Sequence, residues 1–528
     1  MRKITAYALL FVCLETIGQS MEVSASSKED IRIISNHDLY LTGENVYLNV
    51  SCFIDSKPSE LSQLIYLEVI DEANTSRIKK SFHLENGQFN GSIFLPANLT
   101  TGNYAVIGYT QWSRNFSPDH FGKKMISVVN PFEPLPEGLF VNTQREAKDF
   151  SKGSLEISLS KQAYSPQDSI TIDLKFNNAE ETNAVLVSVH KENERSTFTN
   201  SYTLSPKSTV PTESTFIPEP KGQLLKGRVK DDNGEPKSVV ISVSNELMNK
   251  IQFTTSNESG EFIIPISNHQ RSNPILLKAE EAVSFEIDDP FISNHNWDIP
   301  RLEIDSSLTT WILNRAKEVQ IEDEYFNEKY TAVTRVDSAG VLDYLNSKTY
   351  RLDDFTRFPR LEDPILEYIP EIKMRTKRKV KIFSVANQSF AASDSSLVLF
   401  NGVPMSSKSL FQQNPNYIET ITIHPANVTF NGFEFAGIIH FKTYKKYIRT
   451  VRFFNSEKID LSETFYEQKV GDDRLPDFKA QLLWESVETG GENQVTLKTK
   501  ASMSKGGYVL HVVDDQGNLL GSKKFRVW

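Results

Sequence analysis

The sequence predicts a mostly β protein of tandem β-sandwich domains, with one small α+β domain among them. Apolar and polar residues alternate with a period of two in many runs, so each strand carries one apolar face that can pack on a partner sheet. These runs include Val46–Val50, Ile65–Val69, Ile170–Phe176 and Tyr508–Val512. Residue pairs typical of hairpin turns separate such strands, and they are Asn86-Gly87, Asn90-Gly91, Asn233-Gly234 and Gln516-Gly517.

The length and charge of the chain narrow the class of protein. At 528 residues the chain exceeds what one hydrophobic core usually supports, so several domains are expected. Hydrophobic residues make up 39% and charged residues 24%, which is typical of folded domains rather than of disorder. The formal net charge of −10 argues against a nucleic-acid partner.

Residues 1–20 are predicted to be a signal peptide. Arg2 and Lys3 supply the positive start, Ile4–Leu14 the apolar core, and Gly18-Gln19-Ser20 a small-residue cleavage site. The apolar run is about half of the ~20 residues that a membrane-spanning helix needs. The mature chain is therefore expected to be exported, with no transmembrane helix of its own. Cleavage would leave Cys52 as the only cysteine, and its alternating apolar surroundings predict a buried side chain.

A first domain is predicted over residues 31–130, closed by a Pro-rich linker. It resembles the macroglobulin-type domain, the Ig-like module that is repeated in alpha-macroglobulins. Three stretches carry this resemblance, namely DLYLTGENVYLNV at Asp38–Val50, NGQFNGSIFLP at Asn86–Pro96 and TGNYAVIGYTQW at Thr101–Trp112. The strands over 154–204 look like a second, more diverged Ig-like copy, which ends in a Pro-, Ser- and Thr-rich linker at 205–221.

A third domain is predicted over residues 222–303. The stretch LLKGRVKDDNGEPKSVVISVSN and the later TSNESGEFIIPI show a strand, an Asp/Asn-Gly turn, a proline and a second strand. This pattern resembles the carboxypeptidase regulatory-like domain, a small Ig-like sandwich that lacks peptidase chemistry. In outer-membrane receptors a similar domain often precedes the plug domain.

Residues 305–443 are predicted to hold the helices and a small α+β domain. Apolar residues at helical spacing predict one amphipathic helix with a Ser-rich start, and these residues are Leu308, Trp311, Ile312 and Val319. A second, short helix is predicted to begin at Pro364 with Asp363 as its cap.

The later part of this region resembles the plug domain of TonB-dependent outer-membrane transporters. The matching stretches are LVLFNGVPM at Leu397–Met405 and FNGFEFAGIIHFKT at Phe430–Thr443. Only 85 of the 528 residues follow Thr443, too few for a barrel of about 22 strands of about 9–11 residues each. The resemblance therefore implies a plug-like domain without a barrel, followed by a C-terminal β domain over 445–528.

The sequence predicts no catalytic, cofactor-binding or metal-binding residues, and hence a protein that is not an enzyme. The nine histidines form no zinc-ligand spacing, and no GxSxG elbow or dinucleotide-binding glycine pattern is present. His190, Glu192 and Glu194 lie close in sequence, but they are predicted to form an exposed polar strand edge. The Cys-Gly-Glu-Gln thioester motif of protease-trapping macroglobulins is absent, which excludes covalent trapping.

Two places are candidates for a protein interface. Trp112 is one, because interfaces favour large aromatic rings, although core filling is the alternative. The other is the turn Asn401, Gly402, Val403 and Pro404 of the plug-like segment, where plugs commonly carry Asp at the first position.

Two functions from different classes remain open. The first is a non-enzymatic accessory or scaffold protein of the Gram-negative outer membrane, which binds an outer-membrane barrel, its complex or an exported protein. Its location would be the periplasm, the outer membrane or the cell surface. The alternative is a macroglobulin-like protease-binding protein that acts without a thioester, with the linker at 205–221 as its bait-like segment.

Overall fold

A computed structural model of the protein describes most of the chain, and its ranges are 28–134, 139–141, 155–176, 184–192, 216–245, 250–266, 275–325, 345–377, 380–385, 396–450, 453, 455–459, 464–465, 477–489, 493–514 and 517–528. The chain divides into two compact units. Unit 1 comprises Met1–Pro220, Asn294–Ala332 and Tyr466–Trp528, and unit 2 comprises Lys221–Ser293 and Val333–Phe465. The predicted signal peptide, residues 1–20, lies outside the described residues.

Both units consist mainly of β-strands, so the predicted mostly β fold class with tandem Ig-like β-sandwiches is confirmed. The first sandwich, in unit 1, contains β1 (Asp30–Ser35), β2 (Leu39–Leu41), β3 (Asn45–Ile54), β4 (Lys57–Pro58), β5 (Leu64–Ile70), β6 (Ser76–His83), β7 (Gln88–Phe94), β8 (Gly102–Tyr109) and β9 (Gly122–Val129). One sheet has the order β2-β9-β8-β5-β6, and in the other β3 pairs with β1 on one side and with β7 and β4 on the other. Cys52 is a buried free thiol in β3, as predicted.

The predicted turn at Asn90-Gly91 is wrong, because both residues lie within β7 and pair with β3. Glycine is needed at this position for packing: a Cβ on Gly91 would lie 2.4 Å from the ring of Phe89. Asn86-Gly87, in contrast, has positive φ angles of 50° and 72° and forms the turn that the sequence predicts.

The second sandwich of unit 1 combines two distant parts of the chain. Its strands are β11 (Leu155–Leu159), β12 (Ala163–Tyr164), β13 (Ser169–Phe176), β14 (Ala184–Lys191), β33 (Gln481–Glu488), β34 (Gln494–Lys500), β35 (Gly506–Asp514) and β36 (Leu519–Val527). They form the sheets β11-β13-β34 and β12-β36-β35-β14-β33. The segments 154–204 and 445–528, expected as separate domains, therefore contribute strands to the same two sheets.

The shared core explains this difference from the expected domain boundaries. Ile172 and Val187 from the earlier segment are buried in one cluster with Leu510 and Val512 from the later segment. Apolar and polar residues alternate along the strands of each segment, as predicted. This alternation does not show which distant strand completes a sheet.

Unit 1 also contains the long helix. β10 (Phe140–Val141) pairs in parallel with β21 (Ile304–Asp305), and the chain then enters α1 (Thr309–Tyr325). Asp305 caps the short 3-10 turn before α1 by accepting a hydrogen bond from the backbone N–H of Ser307 at 2.9 Å.

The amphipathic pattern of α1 is confirmed. Ile312 and Ala316 are buried in one cluster with Leu39 and Leu41 of β2. This helix belongs to the first unit, whereas the sequence prediction groups it with the plug-like segment in one domain over 305–443.

The third sandwich, in unit 2, contains β15 (Gln223–Lys230), β16 (Val240–Asn245), β17 (Lys250–Thr255), β18 (Glu261–Ile266), β19 (Ile275–Ala279), β20 (Ser284–Ile287) and β31 (Ser456–Ile459). Its sheets are β18-β15-β20 and β17-β16-β19-β31. The predicted domain at 222–303 thus gains a strand from beyond residue 445, while residues 294–303 fall in unit 1.

The α+β part of unit 2 contains β22 (Lys348–Arg351), α2 (Glu362–Tyr368), β23 (Ile372–Lys377), β24 (Val380–Val385), β25 (Leu397–Phe400), β26 (Val403–Pro404), α3 (Ser407–Leu410), β27 (Ile418–His424), β28 (Val428–Phe430), β29 (Phe433–Phe435) and β30 (Ile438–Thr443). The main sheet has the order β22-β27-β30-β25-β26, in which β25 runs parallel to β30. β23-β24 and β28-β29 are hairpins, and a short strand β32 spans Thr464–Phe465. Asp363 lies in the first turn of α2 and is not its cap, because the helix begins at Glu362.

Substitution of Gly437 tests how tightly this α+β core is packed. A Cβ at this position, where φ is +80°, would lie 2.7 Å from the carbonyl oxygen of His424 and 2.9 Å from Cγ2 of Val385. Gly437→Ala is therefore expected to cost about 1–2 kcal/mol for the backbone conformation and a further ~1–3 kcal/mol for overpacking. The matched control is Gly432→Ala, with φ of +84° and nothing within 4 Å, which should show the backbone cost alone. Calorimetric unfolding of the two variants measures both, and equal losses would contradict the packing argument.

Candidate functional site

The predicted interface turn of the plug-like segment is part of the core of unit 2. Asn401 and Gly402 have positive φ angles of 50° and 83°, and they join β25 to β26 in a two-residue hairpin turn. The Gly402 N–H donates to Nε2 of His440 at 3.0 Å, and Asn401 Oδ1 accepts from the Thr443 N–H at 2.9 Å. Burial, with a smaller effect from Lys442, lowers the pKa of His440 to about 3, so this ring is neutral and can accept.

Val403 and Pro404, like Gly402, are buried, and Asn401 is half-buried. Their contacts fix the tip of the hairpin against β30. The structure therefore gives Gly402, Val403 and Pro404 a role in the fold, and their surface is not available to a partner while unit 2 keeps this conformation.

Trp112, the other candidate, begins a 3-10 helix over Trp112–Asn115 in the first sandwich. It is half-buried and makes an edge-on contact with Phe116 at 5.7 Å between ring centroids. Its carbonyl accepts a hydrogen bond from the amide of Asn115 at 3.0 Å. Trp112 therefore helps to hold the side chain of Asn115, which also contacts Phe216 in a distant part of the chain.

Asn115 clamps the backbone of Phe216. Its Oδ1 accepts from the Phe216 N–H at 2.7 Å, and its Nδ2 donates to the Phe216 carbonyl at 2.8 Å. The ring of Phe216 lies 3.9 Å from the guanidinium carbon of Arg114, a cation–π contact. Arg114 is oriented by Gln111, which accepts its hydrogen bond at 2.8 Å.

Glu219, three residues further on, is buried against the same sandwich. The hydroxyl of Tyr66 donates to its two carboxylate oxygens at 2.9 and 3.1 Å. The Glu219 carbonyl accepts from the Gln63 N–H at 3.0 Å. We call Gln63, Tyr66, Arg114 and Asn115 the docking groove. It holds the non-helical segment Phe216–Pro220 at the end of the Pro-rich linker.

Asn115→Ala is expected to loosen this segment without unfolding the sandwich. Two hydrogen bonds to Phe216 would be lost, at a cost of about 1–3 kcal/mol. Hydrogen–deuterium exchange of the peptide covering 216–220 should then become at least about tenfold faster. Asn257→Ala, in an exposed turn of unit 2, serves as the control and should leave that peptide unchanged. Unchanged exchange in Asn115→Ala would show that the clamp does not hold the segment.

A second site of interest, which we call the helix junction, centres on Arg315 of α1. This side chain is buried, and its Nε donates to Oε1 of Glu44 at 2.6 Å. Its Nη1 donates to Oε2 of Glu318 at 2.9 Å and to the carbonyl of Phe478 at 2.8 Å. Glu318 also accepts from Lys191 of β14 at 2.7 Å. One guanidinium thus joins the first sandwich, α1 and the second sandwich.

The charges of the helix junction stabilise one another. Burial disfavours the charged guanidinium, but Glu44, Glu322 and Glu318 outweigh it and raise the pKa of Arg315. Burial likewise opposes ionisation of Glu318, yet Arg315 and Lys191 hold its pKa below the usual value. Burial lowers the pKa of Lys191 in spite of its pair with Glu318. The junction is therefore an ionised network whose members depend on each other.

A row of buried histidines lies beside this network, and we call His37, His190 and His511 the histidine row. The ring centroids of His37 and His190 are 5.9 Å apart, and those of His190 and His511 are 5.3 Å apart. His37 precedes β2, whereas the other two lie on neighbouring strands β14 and β35 of the second sandwich.

The prediction that His190 lies on an exposed polar edge is wrong, because β14 is a central strand of its sheet and His190 is 0% exposed. Burial, helped by Arg315 and Lys124, lowers the pKa of His37 to about 3. Burial, helped by Lys524, lowers the pKa of His511 to about 4. Burial, helped by the two neighbouring histidines, also holds the pKa of His190 well below its ordinary value.

The sequence analysis missed the docking groove and the helix junction. A signal for Arg315 was visible, because it lies at helical spacing from Ile312 and Val319 within the apolar stripe of α1. A long charged residue in such a stripe requires a buried partner. No comparable signal marks Asn115 or Glu219, since their partners are about a hundred residues or more away in sequence.

Among the described residues, no group of three or more His, Cys, Asp or Glu side chains could hold a metal ion. In the same part of the chain, no helix has the length and apolar character to cross a membrane.

No protein-family model matches the chain, and no curated protein matches it. Solved structures that resemble it include Escherichia coli alpha-2-macroglobulin activated by porcine elastase, at 10% identity over 95% of this chain and 43% of that chain, with a TM-score of 0.23. Trypsin-activated Escherichia coli alpha-2-macroglobulin is 10% identical over 96% of this chain and 24% of that chain, with a TM-score of 0.17. Latent PorU from Porphyromonas gingivalis is 8% identical over 50% of this chain and 33% of that chain, with a TM-score of 0.17. This chain spans less than half the length of each of these proteins, and TM-scores of this size do not establish a shared fold.

Proposed function

We propose that this chain is a non-enzymatic accessory protein of the Gram-negative cell envelope that binds a segment of an exported or outer-membrane protein. The observation that supports this most strongly is the docking groove, where the first sandwich holds the non-helical segment Phe216–Pro220. The clamp by Asn115 and the bond from Gln63 reach the main chain, so they suit peptide segments in general. Recognition of a peptide through its main chain is a common mode for β proteins.

The sequence supports the cellular setting of this proposal. The predicted signal peptide at 1–20 would export the chain to the periplasm, the outer membrane or the cell surface. The resemblances at 31–130, 222–303 and about 376–443 are to macroglobulin-type, carboxypeptidase regulatory-like and TonB plug domains. The last two occur together in outer-membrane receptors, so an outer-membrane barrel or its complex is the partner we propose.

Affinity purification from the native host tests the proposed function. Detergent extraction of membranes that contain the tagged chain is expected to recover it together with an integral outer-membrane or exported protein. Asn115→Ala is expected to lower the amount of that partner that is recovered, whereas Asn257→Ala should leave the amount unchanged. Recovery of the chain as a free monomer under mild extraction would count against the proposal.

The alternative is a macroglobulin-like protein that binds proteases without a thioester. One observation favours it: the bait-like linker at 205–221 ends in a segment, Phe216–Pro220, that is anchored to the first sandwich. A cut before Phe216 would leave the new end attached there. Incubation of the pure protein with proteases of differing specificity should then give selective cleavage within 205–215 and a stable complex. If cleavage is unselective or no complex forms, the alternative is ruled out.

A further inference from the structure

We propose that the docking groove is a binding site for extended peptides in which an aromatic residue stands three positions before an acidic one. This inference rests on the proposed function and names the chemistry of the partner segment. The chain's own Phe216–Pro220 would occupy the site until a partner segment replaces it.

The clamp sets the position of the peptide without reading its sequence. Asn115 bonds both the N–H and the carbonyl of one residue, which fixes the direction and the register of the bound chain. The bond from the Gln63 N–H to the Glu219 carbonyl adds a second main-chain anchor three residues later. Side chains at the two intervening positions, Ile217 and Pro218, are only half-buried, so these positions can vary.

The aromatic preference arises at Arg114. Its guanidinium lies over the ring of Phe216 at 3.9 Å and 5.8 Å from the ring of Tyr109. A planar cation at this distance from a ring favours an aromatic side chain over an aliphatic one. Gln111 holds the guanidinium in place, so the stacking surface is already formed.

The acidic preference arises at Tyr66. Its hydroxyl donates to both carboxylate oxygens of Glu219, which is only 1% exposed. Tyr66 is itself fully buried and stacks on Tyr109 at 5.8 Å between ring centroids. Burial of a charged carboxylate is costly unless hydrogen-bond donors replace the water that it loses. A linker that only connects domains has no need to bury such a group. The distance between Asn115, which clamps the aromatic residue, and the buried carboxylate thus sets the spacing of three positions between the aromatic and the acidic residue.

The test uses the full chain with its own segment weakened and a peptide supplied separately. The probe is the capped hexapeptide of residues 216–221, Phe-Ile-Pro-Glu-Pro-Lys, labelled with fluorescein on its lysine. The double variant Phe216→Ala/Glu219→Gln is expected to bind it with a Kd of about 10–100 μM by fluorescence anisotropy. The natural chain should bind at least about tenfold more weakly, because a tethered segment has an effective concentration of about millimolar.

Matched peptides and variants separate specific from adventitious binding. Two substituted peptides, one with Gln in place of Glu and one with Ala in place of Phe, are compared with the hexapeptide. Each is expected to bind the double variant at least about tenfold more weakly than the hexapeptide does. Adding Asn115→Ala to the double variant should abolish binding. If the double variant fails to fold, judged by its tryptophan emission, Glu219→Gln alone is used, and it should bind more tightly than the natural chain.

Two results would overturn the inference: a folded variant that does not bind the hexapeptide, or one that binds the substituted peptides equally well. Either result leaves the proposed function standing if the purification still recovers a partner, since that partner would then use another surface. Failure of both experiments would remove the proposed function itself.

Discussion

Acidification from about pH 7.5 to about pH 5 is expected to lower the free energy of unfolding of unit 1 by at least about 4 kcal/mol, about 2 kcal/mol from each of His37 and His511, with His190 acting in the same direction. The three rings of the histidine row are buried and neutral, with pKa values of about 3 for His37 and about 4 for His511 and a pKa well below the ordinary value for His190. In the unfolded chain each ring titrates near 6.5. Between about 6.5 and 5 the unfolded state therefore binds protons that the folded state does not, and each ring costs about 1.4 kcal/mol per pH unit.

The direction follows from the sign of the pKa shifts. Because the pKa of each ring is lower in the folded state, its contribution to stability is present above about pH 6.5 and is lost as the pH falls. Charged neighbours add to this effect: Arg315 and Lys124 face His37, and Lys524 acts on His511. The ring of Tyr40, 3.9 Å from that of His37, offers no countercharge.

Tryptophan emission measures this loss selectively, because all five tryptophans of the chain fall within unit 1. Urea unfolding followed by emission at several pH values should show the steep decline. His511→Gln should make this decline less steep, by about 1.4 kcal/mol per pH unit below pH 6.5, since one of the titrating rings is removed. A pH-independent midpoint between 7.5 and 5 would mean that the rings are not buried as described.

Arg315→Met is expected to cost about 3–5 kcal/mol of stability in unit 1. The substitution leaves the carboxylates of Glu44 and Glu318 in a buried site without the guanidinium that neutralises them. It also removes the bond to the Phe478 carbonyl, which ties α1 to the second sandwich. The same urea experiment at pH 7.5 measures the loss.

A second substitution separates lost charge from lost packing. Glu44→Gln added to Arg315→Met removes one of the stranded charges, so the double variant is expected to be more stable than Arg315→Met alone. Lys161→Ala is the control for ordinary ion pairs, because Lys161 is 58% exposed in its pair with Asp168 and should cost about 0–1 kcal/mol. A loss in Arg315→Met no larger than that of Lys161→Ala would show that the helix junction does not hold unit 1 together.

Local patterns in the sequence predicted local structure well. The alternation at Val46–Val50 and Ile170–Phe176 marked β3 and β13, and the spacing of Ile312 and Val319 marked α1. The misassigned Asn90-Gly91 shows a limit, because the glycine is required by the neighbouring Phe89 ring rather than by a turn.

Contacts between residues that are far apart in the chain could not be predicted from the sequence. β13 pairs with β34 more than three hundred residues later, and each strand alone presents an equally acceptable apolar face. His190 was misplaced for the same reason: its exposure depends on β33 and β35, which cover both edges of β14. Tyr66 and Glu219 are ordinary residues in isolation, and only the fold brings them into hydrogen-bond distance.

Photo-crosslinking at position 112 in the native host tests most directly whether the docking groove binds a partner. A photoreactive phenylalanine derivative in place of Trp112 would sit beside Asn115, and the same derivative at Leu366, which is 65% exposed in unit 2, provides the control. Illumination is expected to link position 112 to an exported or outer-membrane protein. The amount of this crosslinked product should rise when Glu219→Gln weakens the binding of the chain's own segment to the docking groove. Crosslinks from position 112 that stay within the chain in both backgrounds, while position 366 captures other proteins, would contradict a binding role for this groove.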